Sequence, residues 1–359
     1  MKKFLVAICA LAMMAGAVSC KDKENEDPIE EERVPEYAEG VFNPVMQLST
    51  VAMDSVTIEE YVWEGNQLTS IRYSDGTTVN YSYENGKLSK LTANVEGENE
   101  EVRYYYTGNL LASCELDVAG VKMMDMVMKH NDVNRIDSAT VTMNIEYLSS
   151  LLGDITGKGR VLVNLLGRST TETLAKMAQV AKMDNRKFSL TGQNIILSLG
   201  WNGENVDAQY LSASLEVSLS SADITAIGDA GLFEIPEELA SLLPLIDLMG
   251  GLPFGITLTD TVTATYDTYY NPNYCNFGGL LSMSLDSPNL FGMLSLNNVL
   301  TTQHNGSVVL SMSFGGQTQE LYNLPIADEY NEASYQYNDK KYPTQKDTPE
   351  GLYTYTYKN

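Results

Sequence analysis

Of the 359 residues, 47 are Asp or Glu and 23 are Lys or Arg, a formal net charge of −24 that repels phosphate backbones and excludes nucleic acid as a partner. The two histidines, His130 and His304, leave little material for histidine-based catalysis or a histidine-rich metal site, while 43% hydrophobic residues exclude global disorder. Tyr outnumbers Phe 22 to 8, a balance that suits half-exposed sheet faces better than a deep apolar core.

The chain opens with Met1-Lys2-Lys3 and an apolar stretch from Phe4 to Val18. A membrane-spanning helix needs about 20 apolar residues, so this shorter stretch reads as a secretory signal peptide over residues 1–19. It ends in Ala17-Val18-Ser19-Cys20, which resembles the bacterial lipobox. The resemblance implies cleavage before Cys20 and lipidation of its sulfur and new N-terminus. Acyl chains bury at ~0.8 kcal/mol per methylene, so two or more anchor a protein without a transmembrane helix.

Removing the first 19 residues, which hold two lysines and no acid, leaves 340 residues with a net charge of −26. Residues 21–40 carry nine acids and three bases, too polar to fold, and read as a flexible stalk over 20–40 ahead of one β-rich domain over 41–359. The acidic run also resembles the export signal that follows the lipidated cysteine of surface-displayed Bacteroidetes lipoproteins, which implies an outer-membrane protein facing the cell exterior. The mature body keeps two unassigned cysteines, Cys114 and Cys275, either a disulfide or two buried thiols. They lack CxxC spacing and nearby histidines, which argues against zinc.

From residue 61 the chain repeats itself. Tyr61-Val62-Trp63 leads through Gly65-Asn66 to Leu68 and Ile71, Tyr81-Ser82-Tyr83 through Asn85-Gly86 to Leu88 and Leu91, and Tyr104-Tyr105-Tyr106 through Gly108-Asn109 to Leu111 and Cys114. Leu199-Gly200-Trp201 with Gly203 and Val206, and Tyr335-Gln336-Tyr337 with Asn338-Asp339 and Tyr342, extend the series. Residues two apart share a strand face, and Asn-Gly or Gly-Asn steps supply the positive φ of a tight hairpin. These units, with the closing Lys341-Tyr342-Pro343-Thr344, resemble an uncharacterised group of Bacteroidetes lipoproteins with a porin-like β fold, and more distantly the tyrosine-rich hairpins of large bacterial toxin shells. The resemblance brings no catalytic or binding residues with it.

Period-two alternation continues at Met124/Met126/Met128, Val141/Met143/Ile145, Leu215/Val217/Leu219, Val262/Ala264/Tyr266, Leu281/Met283/Leu285, Leu310/Met312/Phe314 and Tyr353/Tyr355/Tyr357. The expected fold is therefore mainly β, an antiparallel meander of hairpins forming a barrel or an extended curved sheet. Two short helices are expected as insertions. One lies around 170–182 behind a capping box at Ser169–Glu172, the other around 236–249, opened by Pro236 and interrupted by Pro244. The strands lack a uniform apolar band of membrane height, so the β body reads as a soluble one rather than a porin.

No reaction signature emerges. Gly153–Gly159 is one residue short of a phosphate loop and lacks the Ser/Thr after Lys158, and HExxH, Gly-x-Ser-x-Gly and EF-hand patterns are missing. No cofactor or metal is expected. The weak ligand candidates are Tyr269, Tyr270, Tyr274 and Phe277 around the turn-forming Asn271-Pro272, since exposed rings stack on sugars and amides bond hydroxyls. The expectation is a non-enzymatic lipoprotein, anchored to the membrane through Cys20, whose body binds a glycan, peptide or envelope protein partner. The alternatives are a surface polysaccharide hydrolase with paired carboxylates and a structural subunit of an outer-membrane complex.

Overall fold

A computed structural model describes residues 34–95, 97–144, 189–229, 237–278, 290–314, 317–326 and 330–358. The signal peptide, Cys20, the acidic run through Arg33, Gly153–Gly159, the helix expected at 170–182 and the alternation at Leu281–Leu285 lie outside the described residues. Eighteen strands make one antiparallel sheet. They are β1 (Leu48–Met53), β2 (Val56–Glu64), β3 (Gln67–Tyr73), β4 (Thr78–Glu84), β5 (Lys87–Val95), β6 (Glu98–Thr107), β7 (Leu110–Val118), β8 (Val121–His130) and β9 (Ile136–Met143). There follow β10 (Ser189–Asn202), β11 (Asn205–Leu219), β12 (Leu252–Tyr270), β13 (Asn297–Phe314), β14 (Gln317–Ile326), β15 (Tyr330–Glu332), β16 (Ser334–Tyr337), β17 (Pro343–Thr348) and β18 (Gly351–Tyr357).

Among the described residues the sheet is a curved meander that does not close. Neighbours pair in chain order from β1 to β13, while β18 folds back onto β1 and continues to β17 and β16. At the other end β13 carries β14 along Gly306–Phe314 and β15 along Thr301–Gln303. Among the described residues no ladder joins β14 or β15 to β16. The two ends of the sheet nevertheless meet in the chain at Ala333, between β15 and β16, whose N–H donates to Leu300 O at 2.7 Å. This discontinuity is called the seam below.

The repeated hairpins form as their turns require. Gly65 at φ 59° turns β2 into β3, Asn85 at 52° and Gly86 at 78° turn β4 into β5, Gly108 at 60° turns β6 into β7, and Gly203 at 62° turns β10 into β11. The fifth unit differs, with a longer loop from Asn338 to Tyr342 and Lys341 at φ 66°. A Cβ on Gly86 would touch nothing within 4 Å, so Gly86→Val isolates the cost of the backbone conformation. It is expected to lower stability by about 1–2 kcal/mol in chemical denaturation, and an unchanged midpoint would reject the turn requirement.

Two regularities of these hairpins are invisible in the sequence. First, each carries a bulge at its second aromatic. The register skips Thr69, Ser89, Ala112, Asp207 and Thr344 opposite Trp63, Tyr83, Tyr106, Trp201 and Tyr337. Three of the extra residues donate their hydroxyl across the break, Thr69 to Val62 O at 3.0 Å, Ser89 to Ser82 O at 3.1 Å and Thr344 to Gln336 O at 3.2 Å. Second, in four of the five the polar tip of the second aromatic ties the hairpin to the strand before it. Trp63 Nε1 donates to Leu48 O at 2.7 Å, Tyr83 OH to Leu68 O and Tyr106 OH to Leu88 O at 2.8 Å, and Trp201 Nε1 to Ile136 O at 2.8 Å. Tyr357 OH bonds Pro343 O in the same way at 2.7 Å. Together these bonds form a girdle of cross-strand ties at the Gly/Asn-turn end of the sheet.

Inward residues alternate as expected and bury one core, with Leu68, Leu91 and Leu111 fully enclosed and Met124, Met126, Met128, Leu215, Val217 and Leu219 inside. The outer face is charged: Arg103 contacts Glu101, Glu115 and Asp117, and Lys122 contacts Glu115 and Asp125. Such exposed pairs contribute solubility more than stability.

Two differences from the sequence reading concern helices and the stalk. The helix expected at 236–249 exists as α2 (Glu237–Ile246) continued by a 3₁₀ turn, Asp247–Met249. Pro244 sits inside it, and the turn tightens only after Ile246, because a proline this near the C-terminus removes a single interior bond. Before it lies α1 (Ser221–Asp229), which the sequence reading passed over. Its signal was present: Ser220 and Asp223 make a reciprocal capping box, Ser220 N to Asp223 Oδ2 at 2.9 Å and Asp223 N to Ser220 Oγ at 3.2 Å. The other difference is that the body begins at Pro35 rather than at residue 41. Gly40 O accepts Leu88 N at 2.8 Å, Ala38 N donates to Cys275 Sγ at 3.4 Å, and Glu39 is buried. Glu39, the last acid of the stalk composition, is structural.

Candidate functional site

The described parts of the connection from β12 to β13 pack on the inner side of the sheet. They include the segment Asn271–Gly278 and α3 (Leu290–Leu294), whose Leu290, Phe291, Met293 and Leu294 are buried. Asn271 fixes the segment to α3, its Nδ2 bonding Ser295 O at 2.9 Å and also Gly292 O. From the opposing sheet Tyr104 OH donates to Phe277 O at 2.8 Å, and Tyr81 OH approaches Asn276 Oδ1 at 3.4 Å.

The ligand candidates named from the sequence all lie on or beside this segment, but they do not share one surface. Tyr274 and Phe277 are buried, at 5% and 1% exposure. Tyr270 packs on Tyr342 at 5.6 Å between ring centres, under Lys341 Nζ at 6.0 Å. Tyr269 alone is exposed, and its ring stacks on Tyr337 at 4.0 Å and 15°. The rings therefore pack against the sheet, and the segment's amides rather than its aromatics face open space.

That space is a cavity of about 190 Å³ on the inner side of the seam. The segment and α3 form one wall, with Asn271, Asn273 and Asn276. The sheet forms the other from both sides of the seam, with Asn298 and Val299 of β13 opposite Tyr335 of β16, Lys346 of β17 and Tyr355 of β18. Glu59 and Tyr61 of β2, Tyr73 of β3 and Tyr81 of β4 complete it. The bulges and the alternating register put these residues on the inner face.

The cavity is polar in character and neutral in tendency. Tyr61 OH donates to Glu59 Oε2 at 2.7 Å. Burial pushes the Glu59 carboxyl above its ordinary range, against the smaller opposite pull of the Tyr61 bond. Burial likewise pushes Lys346 below the usual ammonium range, with Glu350 pulling weakly the other way. Both side chains line the cavity and keep some accessible surface. Burial raises the phenols of Tyr73 and Tyr355 as well.

Much of the hydrogen-bonding capacity here is unused. Asn273 Oδ1 is buried with no donor among the described residues. The hydroxyls of Tyr73 and Tyr355 and the Lys346 ammonium make no hydrogen bond there either, although Lys346 lies 5.4 Å over the Tyr353 ring. Native structures pair nearly all buried polar atoms, so Asn273 Oδ1 calls for a donor, and the partly accessible phenols and amine around the same cavity could serve the same occupant.

The remaining candidates resolve into structural roles. Cys114 and Cys275 are free and buried, and burial pushes both thiols up to about 12, so neither is a nucleophile at neutral pH. His130 lies at the end of β8 with Nε2 3.1 Å from both oxygens of the enclosed Glu39. His304 of β13 faces Asp260 at 3.6 Å. Trp63 and Trp201 belong to the girdle. Compared with known proteins, the chain matches no family model and no curated protein.

Proposed function

We propose that this protein is a lipid-anchored outer-membrane lipoprotein whose rigid β body binds a small ligand in the seam cavity. The observation that carries the binding role is the unused hydrogen-bonding capacity of Tyr73, Tyr355, Lys346 and Asn273 around one cavity. The anchoring role rests on Ala17-Val18-Ser19-Cys20, and the outward orientation on the acidic run behind it. A girdled sheet suits such work, since a preorganised site loses little entropy on binding. A polysaccharide hydrolase would use two carboxyls, and the described lining supplies Glu59 alone.

Native mass spectrometry of the full chain extracted from membranes in mild detergent tests both parts. The expected spectrum shows an acylated N-terminus at Cys20 and one small non-covalent adduct, which Val299→Trp, filling the cavity, removes. An unacylated mature chain defeats the anchor. An adduct-free protein, or an adduct retained in Val299→Trp, defeats the cavity as the binding site.

A further inference from the structure

We infer that the cavity accepts a single neutral, polyhydroxylated ring the size of one monosaccharide, held between the asparagine wall of the Asn271–Gly278 segment and the phenols of β3 and β18. This rests on the cavity reading above and names its ligand class.

Volume sets the first limit. About 190 Å³ lies below the usual range of ligand pockets and suits one pyranose ring with its hydroxyls. Hydrogen-bond stoichiometry sets the second. The groups left without partners are two phenol hydroxyls that both donate and accept, one amide oxygen that accepts, and an amine that donates. A ligand matching this set must donate and accept around its whole periphery, as a ring of hydroxyls does. Charge sets the third. The lining holds one carboxyl, Glu59, and one amine, Lys346, which balance each other in charge, so the cavity favours neither an anion nor a cation. Tyr61, Tyr73, Tyr81 and Tyr355 line the cavity beside these polar atoms, an apolar and polar mixture that suits the two kinds of surface on a sugar.

Such a ring has two sources, a free monosaccharide or the terminal residue of a glycan. Calorimetry on the full chain in detergent, against neutral hexoses, deoxyhexoses, pentoses, N-acetylhexosamines and inositol, tests the class. The expected result is one-to-one binding of at least one member, weakened about 5- to 10-fold by Tyr73→Phe and by Tyr355→Phe, each of which removes one hydroxyl. Both hydroxyls are without partners in the described structure, so both variants should melt with the parent protein. Retained affinity for the methyl glycoside assigns a chain end, and its loss a free sugar; either supports the class. Binding insensitive to both substitutions overturns the inference. So does hydroxyl-dependent binding of an amino acid with none of a sugar, or no binding to the panel while the native adduct persists. Those last two results leave the cavity as a binding site, whereas loss of the adduct itself removes both readings.

Discussion

Gly40→Ala is expected to destabilise the protein by about 2–4 kcal/mol, more than any hairpin glycine. Gly40 stands at φ 75°, where an L side chain carries strain of about 1–2 kcal/mol. In addition, a Cβ built there would lie 2.1 Å from the Tyr106 hydroxyl and 2.6 Å from its ring carbon Cζ. The ring cannot swing away freely, because its hydroxyl is bonded to Leu88 O at 2.8 Å and Lys87 Nζ covers its face at 5.0 Å. Leu88 is held from both sides, its N–H bonding Gly40 O and its carbonyl accepting Tyr106. Adding one methyl group therefore strains the entering chain and the third hairpin together. Guanidinium denaturation measures the loss. In a Tyr106→Leu background the steric part should vanish and about 1–2 kcal/mol of backbone strain remain, so undiminished loss in that background would refute the clash.

Glu39→Ala is expected to cost about 3 kcal/mol or more. The Glu39 side chain is fully enclosed, and it accepts from Leu111 N, from Tyr37 OH at 2.8 Å and from His130 Nε2 at 3.1 Å. Truncation leaves the amide of the fully buried Leu111 without an acceptor, together with a phenol and an imidazole, and orphaned buried donors cost about 1–3 kcal/mol each. Glu39→Gln keeps an oxygen for Leu111 N and should lose roughly half as much. Hydrogen exchange adds a local readout. The Leu88 amide, bonded to Gly40 O, should lose protection in Glu39→Ala before the rest of β5 does. Unchanged Leu88 protection would show that Glu39 does not fasten the entering segment.

Turn chemistry was legible in the sequence because it is local. Asn85-Gly86 and Gly65-Asn66 announce positive φ within two residues, and the observed angles agree. The alternation at Met124–Met128 and Leu215–Leu219 was equally readable, since one buried face of a strand needs no distant information. The bulge residues Thr69 and Ser89 were not legible. Their offset is a property of a pair of strands, and nothing in either strand alone marks it. The segment around Asn271-Pro272 was singled out for its rings, whereas its asparagines line the cavity. Which side of a turn faces a cavity depends on the strands that enclose it, and Tyr73 and Tyr355 lie far from it in the chain.

Acidic composition misled at Glu39 for a related reason. By local composition residues 35–40 belong to a solvated stalk, and a buried carboxylate is tolerable only where donors are waiting. Two of the three donors, Leu111 and His130, lie more than 70 residues downstream. By itself, then, the sequence determined a mainly β chain of tyrosine-rich hairpins, their turns and their inward faces, because each depends on periodicity or on a few adjacent residues. Tertiary structure alone decided where the body begins, how the aromatic tips tie neighbouring strands, that the sheet stays open at a seam, and which polar groups surround the cavity there. Those features arise where segments remote in the chain desolvate one another, and desolvation is a property of the assembled surfaces.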